Sequence, residues 1–380
     1  MWTVLLMASA LAGDCELTEG AWLLTMDPGD DVQTIFGHTA VLVYDRDQGD
    51  YSPVYDYGRF DIEALPVMAW EVLTMTKEYY VASRNLSEVI RTYDRKGRGV
   101  TAQRLLLDDA QVDTFTTALA HDLNRDMVFD YNWYRPNCTT LVLDHIDAAV
   151  GGSVKAQLSG RTGISPAGEV LRHTTDHWPL WLALHWGSGA FARSPVDHYS
   201  ASFLPDRLAS SLEQVRHPAG RPLVGPRCTL ASLPPVGAPA EGPSRDLPLI
   251  VLGLLWAAVL VGADRASRTA GLALGAVHGL VVGLWGSAAL LVGVLGTFAP
   301  FWGHHNLTLA SPLTLALLGA AGWRHRAPQV RGPERIAGGL AALALVGGFG
   351  AALGHRNLGL ALALALPLAA LTYTLRPREP

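Results

Sequence analysis

Tyr134-Arg135-Pro136-Asn137-Cys138-Thr139-Thr140 is the stretch that decides how the polar part of this chain folds. Behind it run Leu141, Val142, Ile146 and Ala149 at helical spacing, and Gly151-Gly152 closes the pattern, so a helix is predicted with Cys138 in its first turn. A first turn offers unpaired N–H groups and the positive end of the helix dipole, which stabilise a thiolate and can hold an oxyanion. Many unreactive cysteines occupy the same position, so the sulfur needs a base. His38, in Phe36-Gly37-His38-Thr39, follows a glycine and opens a β-like run, which projects its ring from a strand end. It is the candidate base; the bland reading is a hydrogen-bonded strand-edge histidine.

The surroundings supply a sheet. Ala21 to Met26, Thr39 to Tyr44, Pro53 to Tyr57, Tyr79 to Ser83 and Gly99 to Leu107 read as strands, with a turn at Asp45 to Asp50. Asp108-Asp109-Ala110-Gln111 opens a helix as a capping box, with Val112, Phe115, Leu119 and Leu123 along one face. A nucleophile at a helix N-terminus facing a histidine on a neighbouring strand, with the histidine first in sequence, is the arrangement of circularly permuted papain-like Cys/His chemistry. The expected fold is therefore an α+β papain-like domain followed by an all-α five-helix transmembrane domain.

Composition splits the chain the same way. Of 380 residues, those from 14 to 246 hold nearly all the acids, and beyond Leu247 the sequence is Leu, Ala, Gly and Val with short charged clusters. A net charge of −5 with no basic run argues against a nucleic-acid binder. Residues 1–13 read as a signal peptide or N-terminal anchor, 14–233 as the Cys/His domain, 234–246 as a Pro/Gly/Ala-rich linker, 247–375 as five spans and 376–380 as a cytoplasmic tail. Asp14 stands between the small residues and Cys15, which argues against lipidation of that cysteine. Among the three cysteines, Cys15 and Cys228 either bridge and leave Cys138 free, or all three stay reduced.

The five apolar stretches run from Leu247 to Ala263, Leu272 to Phe298, Leu307 to Trp323, Ile336 to Leu353 and Leu358 to Leu375. Each approaches the ~20 residues that cross a hydrocarbon core. Arg265 and Arg268, then Arg324, Arg326, Arg331 and Arg335, then Arg376 and Arg378 mark the cytoplasmic side, which leaves the Cys/His domain periplasmic. The outside loops echo each other, Gly303-His304-His305-Asn306-Leu307 and Gly354-His355-Arg356-Asn357-Leu358. His304 and Asn306 are candidates for a substrate floor at headgroup level, with helix capping as the alternative.

Phe36-Gly37-His38-Thr39, Tyr55-Asp56-Tyr57-Gly58-Arg59-Phe60-Asp61, Tyr131-Asn132-Trp133 and Asn137-Cys138-Thr139-Thr140 together resemble the Lnb N-terminal periplasmic domain of Lnb-type lipoprotein N-acyltransferases. The resemblance covers residues 20 to about 215, ending near Ser202-Phe203-Leu204-Pro205-Asp206, and His304 to Asn306 with Ser311-Pro312-Leu313 is similar to the family's membrane part. It departs from the pattern at Leu141-Val142, where an arginine is expected. The resemblance implies a bacterial inner-membrane, multi-pass enzyme that passes a fatty acyl chain from a phospholipid donor, through a Cys138 thioester, to the N-terminal amine of a diacylated lipoprotein. His38 serves as base. No cofactor or metal is called for.

Asp61 or Asp56 is the candidate to orient His38 and Tyr57 the candidate oxyanion donor, each weighed against a purely structural role, which the alternation of strand side chains favours. Asn137 shapes the turn before the helix, with a hydrogen-bond role in the site as the alternative. Tyr131, Asn132 and Trp133 either line the acyl groove or simply pack. His173 and His177, at i and i+4 with Asp176, have the spacing of a metal pair but lack the glutamate of zincins. The competing enzyme class is a membrane-anchored cysteine hydrolase acting on lipid esters or peptidoglycan peptides, and a third reading is a non-enzymatic periplasmic sensor.

Overall fold

The computed structural model describes residues 14–31, 33–64, 67–68, 70–71, 76–231, 233, 245–295, 306–352 and 358–377. They form two compact units. One takes the chain up to Trp181 and resumes at Ser194, and the other combines Leu182–Arg193 with everything beyond the linker. The expected boundary near residue 233 is thus interrupted by a twelve-residue excursion into the second unit.

The first unit is built on seven strands: β1 (Gly20–Met26), β2 (His38–Tyr44), β3 (Pro53–Arg59), β4 (Glu78–Asn85), β5 (Val100–Arg104), β6 (Val128–Asp130) and β7 (Cys228–Thr229). They form an antiparallel sheet in the order β6-β4-β3-β2-β1-β5-β7. Interior strand β1 is buried on both faces, so Ala21 and Leu23 pack with one core while Trp22, Leu24 and Met26 pack with the other. Its helices are α1 (Leu86–Arg95), α2 (Asp109–Asn124), α3 (Cys138–Ala149), α4 (Ser153–Gln157), α5 (Pro166–His173), α6 (Trp178–Gly187, which leaves this unit at Leu182), α7 (Ala190–Arg193, in the second unit), α8 (His198–Ala201) and α9 (Pro205–Leu212).

The helices α2, α3 and α9 cover one face of the sheet through Phe115, Leu119, Val142, Ile146 and Leu208. On the other face lies α1, a helix the strand-by-strand reading does not anticipate, although Leu86, Val89 and Tyr93 share its buried side at i, i+3 and i+7. The capping box of α2 forms as its sequence predicts, with Asp108 accepting from the Gln111 N–H and Gln111 answering to the Asp108 N–H. A Cys15–Cys228 disulfide fastens the segment before β1 to β7 and leaves Cys138 as the free thiol.

The second unit is helical: α10 (Asp246–Ala266), α11 (Arg268–Leu295), α12 (Asn306–Leu309), α13 (Ala316–Arg326), α14 (Pro333–Ala352) and α15 (Leu358–Thr374). Among the described residues, two helices are long and apolar enough to cross a membrane, Asp246–Ala266 and Arg268–Leu291. This is narrower than the five spans expected. The third apolar stretch is broken: α12 stops at Leu309, the Ser311 hydroxyl caps a 3₁₀ turn over Pro312–Leu315, and a helix resumes only at Ala316. Proline lacks the N–H and its ring clashes with the preceding turn, so the break falls where the residue sits. Small residues allow close packing here. A Cβ on Gly253 would stand 2.6 Å from the Ala363 Cα. A hydrogen bond joins α10 to α11 at mid-span, from the Trp256 indole N–H to His278 Nδ1 at 3.1 Å.

Candidate active site

Asn137 sets the stage. Its backbone is extended and its Oδ1 accepts from the N–H groups of Thr139 and Thr140, each at 2.9 Å, while the Thr140 hydroxyl accepts from the Asn137 N–H at 2.9 Å. Its Nδ2 donates to the carbonyls of Trp133 and Phe203. A buried amide with every group satisfied fixes where α3 begins, and so fixes Cys138 as its first helical residue. The Thr139 hydroxyl lies 3.0 Å from that of Thr39, a buried contact that fastens the helix to β2.

On β2 the approach to His38 depends on Gly37. It adopts φ +77°, and a Cβ there would lie 2.7 Å from the Met26 carbonyl, so a side chain is excluded on both counts. His38 Nε2 meets Asp56 Oδ1 at 2.8 Å. Asp56 is itself held by the Gly58 N–H at 3.0 Å, by Arg84 at 3.2 Å and by Arg59 at 3.3 Å. The register of β3 against β4 shifts between Asp56 and Arg59, a bulge of the kind that re-aims side chains beside functional sites. Gly58 gives the imidazole its room, since a Cβ at that position would stand 2.5 Å from His38 Cε1.

With Nε2 engaged by Asp56, Nδ1 is the ring nitrogen left to serve the thiol. Burial alone would lower the His38 pKa, but the Asp56 carboxylate and then the Cys138 thiolate outweigh it, and the imidazole sits well above its ordinary value. Burial likewise pushes the Cys138 thiol up, yet His38, the Thr39 N–H and the Thr139 hydroxyl bring it below the usual thiol value. Asp56 is desolvated too, and His38, Arg59 and Arg84 nevertheless hold it far below the carboxylate range. The three groups therefore favour a thiolate–imidazolium–carboxylate chain, the state in which sulfur is nucleophilic.

Residues 16–175 match the family described as the Lnb N-terminal periplasmic domain. The matched stretch takes in β1 through β6 and α1 through α5. No curated protein and no solved structure matches the chain. Together with the two helices long and apolar enough to cross a membrane, the match points to a membrane protein with a periplasmic domain.

Within the matched stretch, Cys138, His38 and Asn137 come together as one cluster. Asp61 does not join it: it is exposed beyond the end of β3, and the carboxylate at His38 is Asp56. Tyr57 is fully buried and turns away, donating to Asp122 Oδ2 at 3.0 Å, where His145 Nε2 also arrives at 2.8 Å. The phenol beside the sulfur is instead that of Tyr131, and burial and the neighbouring thiolate hold its pKa well above the phenol value. Tyr131 stacks on Tyr79 with centroids 4.1 Å apart, and Tyr79 in turn meets Phe60 at 4.8 Å. The short strand β6 brings Tyr131 there. Three residues in a turn-rich region leave too weak a period to place that ring from sequence.

His173 does not meet His177 as a metal ligand; its Nδ1 faces the Ile35 carbonyl at 3.3 Å and its Nε2 lies 3.4 Å from Asp206. Among the described residues no group of three His, Cys, Asp or Glu side chains could hold a metal ion. His304 lies outside the described residues. Asn306 opens α12, and its side chain lies outside them as well.

Because Asn137 already takes the Thr139 and Thr140 N–H groups, the helix start offers fewer free donors than its position suggests. The Tyr131 phenol lies beside the sulfur. A thiol beside an imidazole that a carboxylate holds is the set of groups that thioester chemistry requires.

Proposed function

We propose that this protein is a membrane-bound cysteine acyltransferase of circularly permuted papain-like design, which moves a fatty acyl chain from a phospholipid through a Cys138 thioester to the N-terminal amine of diacylglyceryl lipoproteins. The observation that carries this reading is the free Cys138 thiol on a capped helix N-terminus, served by a His38–Asp56 pair, inside an Lnb domain. The helical unit is proposed to sit in the inner membrane as a multi-pass anchor with the Arg-rich turns cytoplasmic.

In the first half-reaction the Cys138 thiolate attacks the ester carbonyl of the phospholipid. The C–O bond breaks, His38 gives its proton to the leaving alkoxide, and a lysophospholipid departs. In the second, the lipoprotein amine attacks the thioester, neutral His38 takes the amine proton, and the C–S bond breaks to restore the thiolate. Both substrates are anchored in one leaflet, so a tethered site turns a search in three dimensions into one at a surface.

The test is mass spectrometry of lipoprotein N-terminal peptides from cells lacking a native N-acyltransferase, complemented with the wild type or with Cys138→Ala. Triacylated termini are expected with the former and diacylated termini with the latter. Diacylated termini in both, at equal expression, would refute transfer. A fatty-acyl thioester on Cys138 that releases free fatty acid with no amide product would place the protein among the hydrolases.

A further inference from the structure

The helix α6 carries the sequence Trp178-Pro179-Leu180-Trp181-Leu182-Ala183-Leu184-His185-Trp186-Gly187, apolar on almost every side, whereas a helix on a soluble surface keeps a polar face. From Leu182 onward this segment belongs to the helical unit. There Trp186 meets Trp285 of α11 edge-on, with centroids 5.3 Å apart at 74°. Beside this pair lies a cavity of about 170 Å³, lined by Leu182, Trp186, Val281, Trp285, Ala310 and Leu364 among others. Every lining side chain is aliphatic or aromatic. Water in a cavity needs two to four polar partners, and this one supplies none from its walls, so a hydrocarbon is the ligand its chemistry fits.

Depth points to the source of that hydrocarbon. Val281 and Trp285 lie within the candidate span Arg268–Leu291. At 1.5 Å per residue they stand roughly 20 and 25 Å along the helix from Arg268, in a core about 30 Å thick. With Arg268 on the cytoplasmic side, the cavity opens at the level of the outer leaflet, and Trp285 falls in the zone where tryptophan rings gather. Val281 and Trp285 are partly exposed, whereas Trp186 and Ala310 are buried, so the cavity has an open side and a closed end.

We infer that this cavity holds one acyl chain of an outer-leaflet phospholipid. The inference rests on the membrane orientation proposed above and not on the chemistry at Cys138.

Full-length protein in nanodiscs containing a phospholipid with a diazirine midway along one acyl chain provides the test, with labelled positions read by peptide mass spectrometry. Labelling at Leu182 to Trp186 and Val281 to Trp285 should saturate and exceed that at Leu252 and Leu255, which are exposed on α10. It should be competed by unlabelled phospholipid, and should persist unchanged in Cys138→Ala. Filling the cavity with Leu364→Trp should bring it down to the level of Leu252 and Leu255. Wild-type labelling that is uniform across all four regions would overturn the inference, as would competition by free fatty acid but not by phospholipid. The wild-type comparison stands whether or not the filled variant folds.

Discussion

Two His–Asp pairs rest against the same helix, and they differ in what surrounds them rather than in how they are bonded. His38 Nε2 meets Asp56 at 2.8 Å at the start of α3, and His145 Nε2 meets Asp122 at 2.8 Å two turns along it. Both even draw on consecutive residues of β3, since Asp56 carries the first pair and Tyr57 donates to the second. The first carboxylate is clamped by two arginines and a backbone N–H, and its imidazole faces a free thiol. The second receives a phenol, and its imidazole lies against the Tyr57 ring. A histidine–carboxylate distance is therefore uninformative alone. The neighbouring nucleophile and the electrostatic clamp distinguish chemistry from packing.

The sharpest way to break this contrast is to delete each imidazole. His38→Ala should reduce thioester formation on Cys138 by on the order of 10³-fold, within the range general acid–base groups supply. His145→Ala should leave the rate within about three-fold while lowering the midpoint of thermal unfolding, because the loss of a buried hydrogen-bond partner costs about 1–3 kcal/mol. Equal loss of activity in both would erase the distinction.

Asp56→Asn should come next, at on the order of 10²-fold, because the amide neither stabilises the imidazolium nor fixes its tautomer. The pH dependence follows from the directions of the shifts. Asp56 raises His38, and protonated His38 lowers Cys138, so alkylation of the wild-type thiol by iodoacetamide should persist below the ordinary thiol value of about 8.5. In Asp56→Asn the His38 pKa falls, the imidazolium is lost at lower pH, and the acid limb of alkylation should move to higher pH. An unmoved limb would mean that Asp56 does not tune the pair.

Tyr131→Phe is a smaller perturbation. If its hydroxyl supports the oxyanion, kcat should drop by about 10²-fold with KM little changed. Tyr57→Phe should be the mildest, costing about 1 kcal/mol of stability and no activity, since its hydroxyl serves Asp122 and not the sulfur. A reversal of these two tyrosines would restore the oxyanion role that the sequence suggested for Tyr57.

Much of the sheet unit was legible because its signals are local. Apolar, β-branched and aromatic runs between turn residues marked β1 to β5, the Asp108–Gln111 box marked the start of α2, and Asn137 with the stripe from Leu141 to Ala149 marked α3. What escaped was set by long-range contact. Asp56 and Asp61 are indistinguishable by type, and only the pairing of β2 with β3 puts one of them on His38. Tyr131 reaches the sulfur because β6 pairs with the far edge of β4. In the helical unit the apolar character was plain, but composition did not reveal that Pro312 divides one stretch, nor that residues 182–193 leave the first unit to join the second.

The connectivity of the one disulfide carries a consequence for biogenesis. Cys15 leaves the translocation channel first, Cys138 second and Cys228 last, whereas the native bond joins first to last. A chain oxidised in order of emergence would tie Cys15 to Cys138 and sacrifice the thiol that the fold reserves. The protein therefore depends either on the sheet enclosing Cys138 before oxidation or on a thiol–disulfide isomerase that reshuffles the wrong pair. Its maturation should be sensitive to the loss of such a catalyst, in a way that Cys138→Ser would relieve.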